Sequence, residues 1–269
     1  MLAAPSARAS IATIVGVIIA LAISVAVIWS VLFRWSGLDV VRHATAGLIQ
    51  PTFVAALLLF ALVGGVMYAG SISFEDAGLA ASDLRRSLVV LFVVASGIEI
   101  GLVASAIISG GELRAGPALN DDPGNVAGNV IAQLLGTALV EEVAFRGFLL
   151  RQLLIRARER YGDGRGLALA VSAAALLFAL YHIPQRMSLG LRGIDLIGSL
   201  AVVWLGGVLA SYLYLRSGSL GIVIVLHALF NYSAPLVASP VPEQWILGGL
   251  VLVVIGWIEL DARRREARA

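Results

Sequence analysis

The sequence predicts an all-α, polytopic transmembrane helical bundle of about eight spans, with both termini on the cytoplasmic side. Three observations carry this reading. Apolar residues make up 59% of the 269 residues, and 29 glycines lift that share to about 70%, where a soluble domain holds ~45–50% with glycine included. Charged residues are 13%, about half the usual share, and mean hydropathy is +0.95. The apolar residues run in long uninterrupted stretches, not in the short alternating strands of a transmembrane barrel. A soluble fold is excluded because too few polar groups exist to cover its surface. Disorder, collagen and coiled coil are excluded by the same composition.

The spans are expected at residues 11–33, 51–72, 88–108, 126–150, 167–183, 194–215, 219–237 and 245–259. Most exceed the ~17–20 residues that cross ~30 Å of hydrocarbon; the fifth and eighth are short. The first is too long in its apolar core for a signal peptide, and no small-residue cleavage site follows it. Trp29, Trp35, Trp245 and Trp257 stand near span ends, where amphipathic rings meet the interface. The stretches 109–124 and 156–166 read as polar loops, and 74–86 as an amphipathic segment along the cytoplasmic interface.

Arginine placement sets the orientation. With the N-terminus inside, twelve arginines (8, 85, 86, 156, 158, 160, 165, 216, 263, 264, 265 and 268) are cytoplasmic and five (34, 42, 114, 186 and 192) are not. That excess favours both termini inside. Arg263 to Arg265 read as a cytoplasmic anchor. No repeat or soluble domain is visible. The chain divides into 1–125 with three spans, 126–237 with four, and 238–269 with the last span and a basic tail.

All 19 basic residues are arginine, and there is no cysteine. Disulfides, thiol nucleophiles, thiolate metal sites, Schiff bases and Ser–Lys chemistry are therefore excluded. The net charge of +2 gives no reason to expect nucleic acid. The arginine and alanine bias suits a GC-rich bacterial genome, hence an integral protein of a bacterial plasma membrane.

Ionisable side chains inside spans cost about 2.5–3.5 kcal/mol each at mid-helix, so they mark candidate functional positions. The fourth span reads Thr137-Ala-Leu-Val-Glu141-Glu142-Val-Ala-Phe-Arg146-Gly. Glu142 and Arg146 are four apart and share a face, which suits an ion pair. Glu141 is turned ~100° away, which leaves it as the spare carboxylate, a candidate general base in a dry site. The fifth span ends Phe178-Ala-Leu-Tyr-His182-Ile-Pro184, with Phe178 and His182 on one face and Pro184 ending the helix. The seventh holds His227-Ala-Leu-Phe-Asn231, again one face. Each pair alone reads equally well as an ion cluster or as interhelical hydrogen bonding. Together they are more telling. At 1.5 Å per residue, Glu141, His182, His227 and Asn231 lie about 12–25 Å from the cytoplasmic ends of their helices. A carboxylate, two imidazoles and a carboxamide at similar depth can activate a water and stabilise an oxyanion, which amide hydrolysis requires. Glu99, in the third span, stays outside this set.

Glu141-Glu142-xxx-Arg146, Phe178-xxx-His182 and His227-xxx-Asn231 resemble, in order, the three motifs of the CAAX-processing prenyl endopeptidase and bacteriocin-processing family, the CPBP intramembrane proteases. The resemblance covers residues 126–235, with a weaker likeness in Phe74-Glu-Asp-Ala-Gly-Leu79. It implies an intramembrane endopeptidase acting on membrane-associated or lipidated proteins or peptides. By motif position it makes Glu141 the general base, with His182 assisting. His227 and Asn231 hold the oxyanion, Glu142 and Arg146 orient the fourth helix, and Phe178 shapes the pocket wall. The metal-free reading is favoured, because no HExxH helix exists. The alternative is zinc held by Glu141, His182 and His227 with an open position. Two other functions compete. A non-catalytic immunity or scaffold protein would keep the fold without the chemistry. A transporter or proton relay would use the same buried charges, but neither repeated halves nor mid-membrane breaks are apparent.

Overall fold

The computed structural model describes residues 7–267; Arg268, one of the expected cytoplasmic arginines, lies outside them. The protein is an integral, multi-pass membrane protein and an all-α bundle, 79% helical. The main helices are α1 (Ile11–Ser30), α2 (Gly37–Ala44), α3 (Pro51–Ala69), α4 (Leu84–Ile108), α5 (Pro123–Tyr161), α6 (Asp163–Tyr181, continued by Ile183–Ser188), α7 (Gly193–Ser217), α8 (Leu220–Asn231) and α9 (Glu243–Glu266). Two short strands, β1 (Arg114–Ala115) and β2 (Val237–Ala238), pair antiparallel.

Among the described residues, seven helices are long and apolar enough to cross a membrane, and only 17–44% of their apolar windows is buried within the chain. The remaining apolar faces have no protein cover, as expected where lipid is the solvent. The expected seventh span differs from the rest. As α8 it is a 12-residue helix, about 18 Å long. It ends at Asn231 because Ala234 takes a left-handed backbone (φ +54°) and Pro235 follows, and neither continues a helix.

Two other expectations change. Residues 156–166 are not a loop. Helix α5 runs to Tyr161 and α6 starts at Asp163, with Gly162 at φ +76° as the only break. The stretch Arg151-Gln-Leu-Leu-Ile-Arg-Ala-Arg-Glu-Arg is rich in strong helix formers. Its polarity marks departure from the hydrocarbon, not loss of helix. A turn at 74–78 and a 3₁₀ turn at Ala81–Asp83 precede α4. Helix α6, expected to be short, reaches Tyr181, breaks at His182 and resumes with Pro184 in its new first turn, where proline's missing N–H is harmless.

The chain forms two compact units assembled from interleaved segments. The first comprises Met1–Ser36, Ala55–Ala80 and Val140–Leu220. There α6 packs between the distal half of α5 and α7. A Cβ at Gly147 of α5 would strike the backbone carbonyl of Ala77, so the turn at 74–78 lies directly on that helix. The segment before α1 is held by α5 as well. Gln152 accepts the Ala9 N–H at 2.9 Å and donates to the Ala7 carbonyl at 3.0 Å, and Arg8 pairs with Glu159 at 2.9 Å.

The second unit comprises Gly37–Val54, Ala81–Leu139 and Gly221–Ala269. Helices α4 and α9 pack at Gly97 and Gly101, against Leu250 and Ile246. Arg86 closes this contact with a 2.9 Å ion pair to Asp261 while lying over the Trp257 ring. Small residues at the contact are how helices approach closely in lipid.

Candidate active site

Helix α5 carries the first motif, and it is not a uniform α-helix. Ala132–Thr137 and Val143–Leu150 are π-helical, and Ala138–Glu142 between them is α-helical. π turns recur at functional sites because the wider ring re-aims side chains. All eight residues of Val143–Leu150 are buried, Arg146 included.

The expected ion pair forms. Arg146 Nη1 donates to Glu142 Oε1 at 2.9 Å, with side-chain exposures of 2% and 0%. Such a pair survives out of water only because each charge answers the other. The guanidinium carbon of Arg146 also sits 4.2 Å from the centroid of the Phe178 ring, the cation–π geometry that arginine's planar head favours.

Phe178 in turn sets His182. The two rings meet edge to face at 4.6 Å. One turn back along α6, the Phe178 carbonyl lies 2.8 Å from His182 Nδ1. A carbonyl only accepts, so Nδ1 carries a proton and donates, and in the neutral ring Nε2 presents a lone pair. Nε2 faces Glu141 Oε2 at 3.9 Å. That is too far for a direct hydrogen bond and close enough for one water to contact both atoms. Glu141 and His182 are both largely buried, at 7% and 12% side-chain exposure.

Phe145 and Tyr181 complete an aromatic cluster. Phe145 contacts Phe178 at 5.1 Å and Tyr181 at 5.4 Å, and Tyr181 contacts His182 at 5.4 Å. Behind them lies a cavity of about 350 Å³, lined by Leu21 and Val25 of α1, Phe145 and Leu149 of α5, and Leu180 and Tyr181 of α6. Its named walls are hydrocarbon and aromatic ring.

Within the first unit, therefore, Glu141, Glu142, Arg146, Phe178 and His182 converge. His227 and Asn231 belong to the second unit, one turn apart on α8. Asn231 Nδ2 donates to Gln133 Oε1 at 2.9 Å, which orients the carboxamide and leaves its second N–H for another acceptor. Gln133, inside the first π segment, was not singled out from the sequence; a lone amide in an apolar span is the signal that marks it. Among the described residues no three His, Asp or Glu side chains cluster closely enough to hold a metal ion.

Residues 123–233 match a family model, Type II CAAX prenyl endopeptidase Rce1-like. The match contains all three motifs. No curated protein and no solved structure matches the chain.

Proposed function

We propose that this chain, whose residues 123–233 match the Rce1-like type II CAAX prenyl endopeptidase family model, is a glutamate-dependent intramembrane endopeptidase of that kind. The observation that carries the mechanism is the opposition of Glu141 Oε2 and His182 Nε2 at 3.9 Å, with Nδ1 tied to Phe178. A water between them gives one proton to Glu141 while its oxygen attacks the scissile carbonyl. The oxyanion falls to His227 and Asn231, an assignment that rests on the motif resemblance. Glu141 then returns the proton to the departing amide nitrogen, the C–N bond breaks, and a carboxylic acid and an amine leave, the acid passing its proton to the amine or to water. The pair of Glu142 and Arg146 and the ring of Phe178 hold α5 and His182 in place.

The reading is metal-free, with zinc held by Glu141, His182 and His227 as the alternative. The substrate is a membrane-associated protein or peptide, and the hydrocarbon-lined cavity beside Tyr181 supports one that carries a lipid or a large apolar side chain. The arginine imbalance supports a bacterial plasma-membrane orientation with both termini cytoplasmic. That orientation has α8 and the extended residues after it cross together.

Purified protein in liposomes, given membrane-anchored reporters with and without a lipid chain, tests this. The parent should cleave the lipidated reporter faster. Glu141→Gln and His182→Ala should cut cleavage at least about a hundredfold. Equal cleavage by parent and variants would refute the mechanism. Stoichiometric zinc lost together with activity would overturn the metal-free reading. Wild-type biological effect with no cleavage would favour a scaffold or immunity role.

A further inference from the structure

Glu99 is an acidic residue in the middle of α4, fifteen residues past Leu84 and nine before Ile108, hence about 22 Å and 14 Å from the helix ends. At that depth an ionisable side chain is costly and needs a reason. The second unit supplies one. Glu99 Oε1 accepts the backbone N–H of Leu236 at 3.0 Å. Leu236 lies in the non-helical stretch that follows α8. Irregular backbone at membrane depth persists only where protein or enclosed water satisfies its polar groups.

Residues 114–118 satisfy further groups of that stretch. Gly116 N–H donates to the Leu236 carbonyl at 2.7 Å, and Ala118 N–H donates to the Pro235 carbonyl at 3.1 Å. Arg114 pairs with Ala238 and Ala115 with Val237. A Cβ at Gly116 would collide with the backbone of Pro235, Leu236 and Val237. Residues 235–238, which start four residues beyond Asn231, are thus held both by 114–118 and by Glu99.

We infer that Glu99 is a positioning residue for Asn231: by holding Leu236 it fixes the chain leaving α8, and with it the orientation in which the Asn231 carboxamide meets the oxyanion. This rests on the proteolytic reading given above. The function asked of Glu99 is acceptance of one N–H, which a neutral side chain with a carbonyl also performs. Its second oxygen, Oε2, is buried without a hydrogen-bond partner among the described residues, so the Leu236 contact is the one polar interaction by which it acts.

The test compares Glu99→Gln, Glu99→Ala and Asn231→Ala, alone and combined, in reconstituted protein. Glu99→Gln keeps the acceptor and should retain at least about half of kcat. Glu99→Ala should lower kcat about ten- to hundredfold with KM within about twofold. In the Asn231→Ala background it should cost less than about twofold more, because the two residues act as one unit. Amide hydrogen exchange gives a readout independent of catalysis. Glu99→Ala should lose protection at 235–238 while α4 and α8 keep theirs, and Glu99→Gln should keep it everywhere. The inference is overturned if Gln is as damaging as Ala, if the Ala effect is undiminished in the Asn231→Ala background, or if protection is lost across α4 and α8 alike. A parent that cleaves nothing would refute the proteolytic reading, and the exchange comparison would still decide whether Glu99 holds the segment.

Discussion

The imidazole of His182 stands with Nε2 3.9 Å from Glu141 Oε2, its tautomer set by a carbonyl one helical turn behind it. This relationship depends on very little chain. Phe178 supplies the carbonyl, packs its ring edge to face on the imidazole, and carries the Arg146 guanidinium above the same ring. Separating these roles is the first use of mutagenesis here.

Phe178→Leu keeps the carbonyl and removes the ring. The aromatic and cation–π contacts it loses are worth about 0.5–2 kcal/mol each. Thermal unfolding in detergent should show a destabilisation of about 1–3 kcal/mol, with a smaller loss of cleavage than His182→Ala. A Phe178→Leu loss equal to that of His182→Ala would mean that the ring, and not the backbone carbonyl, sets the imidazole.

Glu142 and Arg146 are both essentially inaccessible, so single replacements should be severe. Arg146→Met and Glu142→Gln should each destabilise by about 3–5 kcal/mol, since either leaves one charge buried and uncompensated. The double replacement should recover part of that loss. The drop in unfolding midpoint caused by either replacement should be the same at low and high salt, because a pair shielded from solvent is also shielded from counterions. A drop that shrinks markedly at high salt would contradict the burial.

Gln133→Ala removes the partner of the Asn231 carboxamide without touching Glu141. Cleavage should fall about tenfold while the unfolding midpoint moves little, since a single side-chain hydrogen bond contributes about 0.5–1.5 kcal/mol. Gln133→Ala added to Asn231→Ala should change neither quantity further. Additive losses would show that Gln133 acts elsewhere.

Gly147→Ala tests the contact between α5 and the turn at 74–78. The new methyl would meet the Ala77 backbone, which cannot step aside like a flexible side chain. A loss of about 1–3 kcal/mol follows from overpacking. An unchanged melting temperature would mean that the turn is not fixed on the helix.

Much of this arrangement was legible in the sequence because hydrocarbon makes polar groups conspicuous. Glu142 and Arg146, four apart in an apolar run, form the ion pair that their spacing implied, and Phe178 and His182 share the face that theirs implied. Three features were hidden. The π segments keep the composition of an α-helix and differ only in hydrogen-bond register, which residue identity does not encode. The 12-residue length of α8 depends on Ala234 adopting a left-handed backbone, which alanine rarely does. The helical state of residues 156–161 was masked by their charge, since polarity at a span end looks the same in a loop and in a helix leaving the bilayer. Glu99 was conspicuous, but its partner is a backbone amide, and backbone amides leave no trace in a list of side chains.

The two wide turns of α5 have a consequence for the helix as a ruler. Each i→i+5 turn stores extra residues relative to an i→i+4 turn, so α5 spends more chain per unit of height than its length suggests. Deleting one residue from 143–150 would let that stretch relax to ordinary α-helical pitch. Everything on the far side of the deletion would then change its angle and height relative to Glu141. Glu141 and Gln152 would no longer keep their present angular offset, although every other residue would be retained. The motif residues are therefore in phase with the arginine-rich end of their own helix through a surplus in residue count.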